Sequence, residues 1–197
     1  MASIFDTSIT KGVRSGQIPA RTQEAREWYR QTAKEVGKVN ERKLFENHKD
    51  RMTSTPIVGN MYLFQYDAKH KDTLPYWDRL PLIFPFRSVK GGFYGINLHY
   101  LPLQMRAKLM DGLYDLANNT RYDESTRLNL NYQLLVGAAK TRYISPCVKM
   151  YLTSHVQSRF MYIYPSEWDI ALFLPLARFE KRTANHVHAQ SRKMVMS

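Results

Sequence analysis

The chain has 197 residues, of which 44% are hydrophobic and 13% aromatic, enough for one packed domain with arms and too apolar for wholesale disorder. Lys and Arg number 29 against 17 Asp and Glu, a net charge of +12, which favours an anionic partner: nucleic acid, an acidic protein surface or a membrane face. A single cysteine, Cys147, excludes an internal disulfide and a cysteine-rich zinc module, and no apolar run approaches the length of a membrane span.

Residues 1–20 lack the apolar stretch of a signal peptide, so the chain reads as soluble and made in a reducing compartment. They carry Gly12, Gly16 and Pro19 among Ser and Thr, and read as an arm whose removal leaves the domain folded. A polar, charged helix is expected over about 22–52, with Thr22 as its cap and a narrow stripe through Ala25, Trp28, Tyr29, Thr32, Val36 and Val39. With Arg14 of the arm, its basic residues Arg21, Arg26, Arg30, Lys34, Lys38 and Arg42 are candidate contacts to a partner or to DNA.

The pattern turns to β after Pro56. Strands are expected near 61–66, 80–89, 93–101 and 159–164. Pro81 and Pro85 place the second at an edge or a bulge, and Gly91-Gly92 joins it to the third as a hairpin. Helices are expected from Pro102 to Asn118, over about 124–139 with Asp123 or Ser125 as cap, from Pro146 to about 156, and over a short stretch near 166–175. Residues 179–197 read as a polar, basic tail without periodicity. Together these predict an α+β fold. A small antiparallel sheet or SH3-like partial barrel with inserted helices spans 56–178, preceded by a basic N-terminal arm and helix over 1–55.

No catalytic residue and no cofactor site emerges. His70 lies between Lys69 and Lys71, where neighbouring charge disfavours a bound cation. His99 reads as a hydrogen-bonded structural residue. His186 and His188 form a pair without an acidic or cysteine neighbour. Asp67, Asp72 and Asp78 alternate with Lys69, Lys71 and Arg79, a salt-bridged surface rather than a nuclease centre. Aromatic residues crowd the region 62–100, and a two-sided sheet must leave some of them exposed or covered by a partner. With Trp28 and Tyr29 on the helix, Tyr76 and Trp77 are candidate interface aromatics. Single-strand stacking is the other use such rings have.

The stretches GNMYLFQYDAKHKDTLPYWDRLPLIFPF and GGFYGINLHYLP, with SPCVKMYLTSHVQSRF and SEWDIALFLPLARF, resemble virion-associated proteins of T4-like contractile-tailed phages over roughly 56–180. The resemblance implies a non-enzymatic structural component of a phage virion, in the baseplate, neck or head-to-tail joint. It would be made in the host cytoplasm, present in multiple copies and bound to other virion proteins through its arms, away from any membrane. The alternative it implies is a DNA end protector with double-stranded DNA as its partner. Neither brings a catalytic motif.

Overall fold

A computed structural model describes residues 5, 28, 31, 32, 36, 39–117 and 119–196, without the side chains of 104, 108, 114, 115, 117 and 196. The fold is α+β, with a six-stranded antiparallel sheet in the order β1-β7-β2-β4-β5-β6 and a separate two-stranded pair, β3 with β8. The strands are β1 (Met52–Thr53), β2 (Met61–Leu63), β3 (Trp77–Asp78), β4 (Leu82–Val89), β5 (Gly92–Asn97), β6 (Val148–Leu152), β7 (Phe160–Ile163) and β8 (Phe179–Glu180). The helices are α1 (Glu41–Asn47), α2 (Leu103–Ala117), α3 (Glu124–Ala139), α4 (Trp168–Phe173) and α5 (Ala184–Met196).

The central hairpin follows from its sequence. Gly91, at a φ of 80°, makes the turn between β4 and β5. The register shifts between Pro85 and Arg87, a bulge that accommodates the missing proline N–H. β5 ends at Asn97, earlier than expected, because the Asn97 side chain accepts from the His99 N–H and opens a 3-10 turn over Leu98–Tyr100. α2 then starts after Pro102, whose carbonyl accepts from Met105 and Arg106. α3 is capped as expected, with the Asp123 side chain accepting from the Thr126 N–H.

Both faces of the sheet are covered. On one, Met61, Leu63, Leu82, Phe84, Ile96 and Ile163 pack against the helices, with Leu113, Leu135 and Trp168. On the other, Tyr62, Phe64, Tyr66, Phe93, Tyr151 and Phe160 form a second layer of their own. The rings of Phe93 on β5 and Phe160 on β7 lie 5.7 Å apart although β4 and β2 intervene. A flat sheet would hold those strands about 14 Å apart. The sheet therefore curls as a partial barrel around its aromatic face, without closing. Most rings expected to need a partner instead cover one another, edge to face, as their quadrupoles favour.

Three expectations are corrected. The continuous helix over 22–52 is interrupted at Asn40, which is extended and caps α1 through its side chain to the Lys43 N–H, and Met52 lies in β1. The helix from Pro146 to 156 is a 3-10 turn over Ser145–Cys147 followed by strand β6. Val148 and Tyr151 are good strand formers, and the free edge of β5 takes the segment into the ladder. Most of the C-terminal tail is α5, which docks by burying Val187 and Ser191. Of the N-terminal arm, Phe5 is described: its side chain is fully buried, its ring 5.5 Å from that of His48.

Candidate nucleic-acid interface

The loop between Tyr66 and Trp77, strands β3 and β6 and helix α5 enclose a cleft of about 590 Å³ beside the aromatic layer. Tyr66 and Tyr151 of that layer form one wall, and Tyr76 and Trp77 line the loop side. Tyr76 is held by Tyr100 at 5.9 Å and by Phe179 at 6.4 Å. Gln190 and Met194 of α5 complete the rim.

Lys149 is the cation of the cleft. Register with Gly95 puts it on β6, two residues from Tyr151 and on the same side of the strand. It is half-buried, and its Nζ lies 4.2 Å from the centroid of the Tyr100 ring. No carboxylate pairs with it among the described residues, and burial lowers its pKa from the usual lysine value. Lys69 and His70 stand exposed on the rim. Lys181, in a left-handed conformation with φ of 66°, turns its Nζ onto the carbonyls of Asp72 and Leu74, at 3.1 and 3.0 Å, and lies 5.6 Å from the Trp77 ring. It pins the loop that carries Tyr76 and Trp77.

Behind the cleft lies a buried polar network. The Asp78 carboxylate accepts from His99 Nδ1 at 2.6 Å, Asn97 Nδ2 at 3.0 Å, the Leu80 N–H at 3.1 Å and the Arg178 N–H at 3.2 Å. Burial pushes its pKa up, but His99 and these hydrogen bonds outweigh that and leave it below the ordinary carboxylate value. Burial lowers His99 against the pull of Asp78. The consistent state is a charged Asp78 accepting from Nδ1–H of a neutral His99. Asn97 also donates to the Tyr151 hydroxyl at 3.0 Å, which ties the network to the cleft wall. Arg106 is buried and donates to the carbonyls of Leu101, Leu172 and His99, at 2.7, 3.1 and 3.1 Å, and burial brings its pKa down to about 10. Glu41 of α1 binds both Arg79 and Arg178 at 3.1 Å, fixing α1 beside β3 and β8.

The network braces the cleft wall through Asn97, which donates to both Asp78 and the Tyr151 hydroxyl. Asp67 pairs with Lys71, Asp78 is spent on His99, and among the described residues no group of His, Cys, Asp and Glu could hold a metal ion. His186 is exposed, whereas His188 donates from Nε2 to the His99 carbonyl at 2.8 Å. Burial pushes the Cys147 thiol up to about 12, far from a reactive thiolate.

Of the residues singled out in the sequence, Tyr76 and Trp77 come together in the cleft. Trp28 is half-buried and packs against the main core. Arg42 is exposed and pairs with Glu46 at 2.8 Å. Arg14, Arg21, Arg26, Tyr29, Arg30, Lys34 and Lys38 lie outside the described residues. Sequence reasoning missed Lys149, which it placed in a helix. The signal was the alternation of Lys149 and Tyr151 with Val148 and Met150, a period of two. Exposed cations with no carboxylate partner among the described residues continue over the surface at Lys90, Arg121, Lys140, Arg192 and Lys193. No described helix is long and apolar enough to cross a membrane.

A family model described as Phage T4 terminal DNA protecting protein matches residues 1–194. The chain belongs to that family of bacteriophage proteins. No curated protein and no solved structure matches it.

Proposed function

We propose that this phage protein binds the ends of linear double-stranded DNA and shields them by occupancy, without chemistry of its own. The observation that carries the reading is the family match over 1–194, since a terminal DNA protecting protein must recognise an end. The match favours end protection over a baseplate or neck role. The charge supports it: a surplus of twelve positive charges, with Lys90, Arg121, Lys140, Arg192 and Lys193 free of carboxylates among the described residues, suits a polyanion whose counterions are released on binding. A chain bound to the genome's end would travel in the virion, and the basic N-terminal residues from Arg14 to Arg42 remain candidates for further phosphate contacts.

Exonuclease protection tests this reading. Linear duplex mixed with the protein should survive an end-dependent exonuclease, and the same duplex should still be cut by an endonuclease at an internal site. Equal protection against both enzymes, or against neither, contradicts end binding.

A further inference from the structure

We propose that the cleft between the 66–77 loop, β6 and α5 takes the terminal nucleotide of a DNA strand, its base against Tyr76 and Trp77 and its phosphate at Lys149. This deepens the end-binding reading and rests on it.

Three observations meet in this cleft. Its volume, about 590 Å³, lies within the range of about 300–1,000 Å³ usual for small-ligand sites. Its loop side offers two half-buried rings, Tyr76 and Trp77, the kind of surface that stacks a base irrespective of sequence, in front of the buried Tyr66, Tyr100 and Tyr151. Among the described residues its one inner cation, Lys149, faces an aromatic ring and no carboxylate. An ammonium removed from water without a counter-charge is costly, and an arriving anion removes that cost. The nearby carboxylates do not turn to Lys149: the buried Asp78 oxygens accept from His99, Asn97 and two backbone N–H groups, and Asp67 pairs with Lys71. Lys69 on the rim and Lys193 in the groove adjoining Gln190 extend the positive field along the strand that would lead away. An internal nucleotide of a duplex is stacked and paired on both sides, whereas a terminal one frays at little cost, so a site for a single base selects ends.

The test uses the full chain and a 5′-phosphorylated duplex with 2-aminopurine either at the terminal position or in the middle. Lys149→Met and Tyr76→Leu are compared with wild type after their thermal unfolding has been matched. Wild type should quench the terminal probe and leave the central one unchanged. K149M should weaken binding to the end about tenfold, as expected for the loss of one charge-assisted contact, with Lys149→Arg restoring most of it. Y76L should bind with the terminal quenching diminished. Duplex binding by gel shift that persists while the terminal probe responds alike in wild type and both variants overturns the cleft and leaves end binding standing. Displacement of the probe by an equal concentration of dAMP assigns the cleft to free nucleotide and overturns it as an end site. Failure to bind any duplex overturns the end-binding reading and this site with it.

Discussion

Asp78 satisfies four donors from three separate segments, so its removal strands them all in a dry interior. Asp78→Ala is expected to cost about 3 kcal/mol, read as a lowered urea midpoint, because its buried donors lose their acceptor. Asp78→Asn should cost less, since its amide oxygen still accepts. The pH dependence has a definite sign. His99 and His188 are both held below the ordinary histidine value of 6.5 by burial. The unfolded chain therefore takes up protons first as pH falls. Stability linked to these two histidines is complete above about pH 6.5 and declines below it. Asp78, lowered from 3.8, adds a second decline once pH passes below that value. Urea unfolding at pH 7.5, 6 and 5 should show falling stability, and His188→Gln should flatten the slope; constant stability across this range would contradict the neutral-histidine assignment. The sequence reads His99 as hydrogen-bonded, and it is, but in a 3-10 turn rather than a strand and to a partner 21 positions away. Asp78 looked like one of three surface acids because its neighbours Lys71 and Arg79 are charged, and nothing local shows which carboxylate the fold will bury.

At the scale of elements, β6 is where sequence and structure part. Pro146 suits a helix start, and it does open a turn, but a single 3-10 turn ends at Cys147 and the following residues pair with β5. Helix and strand propensities compete closely there, and the unpaired β5 edge decides. That pairing leaves no room at Gly92, where a Cβ would lie 2.2 Å from the Tyr151 carbonyl oxygen. Gly92→Ala must push β6 away, and we expect a loss of about 2 kcal/mol by urea unfolding, with the cleft loosened as well. Gly91→Ala next to it meets no atom but forces a strained φ, so its cost should be about 1 kcal/mol. The α5 helix was illegible for a different reason. Val187 and Ser191 form its buried stripe, and one of the two is polar, so no apolar period announces it. By contrast β4, β5, β7, α2 and α3 were readable because turn residues, capping residues and periodic apolar faces agree within each segment.

At the scale of the molecule, Phe5 and helix α5 pack into the body. Phe5 is fully buried, and Arg178 reaches Glu41 and the Val39 carbonyl, at 3.1 and 3.0 Å, across most of the sequence. Removing residues 1–20 is therefore expected to destabilise the fold rather than only free an arm. Phe5→Ala alone should cost about 3 kcal/mol, measured by thermal or urea unfolding. Charge, by contrast, is spread over the exterior. The surplus was legible from composition, the class of partner only through resemblance, and the cleft not at all, since its walls come from residues 66–77, 100, 149–152 and 190–194. The central claim is that this charge and this cleft serve a DNA end. The most direct measurement is competition between blunt linear duplex and covalently closed circles of the same sequence, across a salt series. The account predicts that the linear form wins by a margin that grows with the number of ends, with affinity falling steeply in salt at a slope of about −0.9 per phosphate contact. Equal competition by circles at every salt concentration would contradict it.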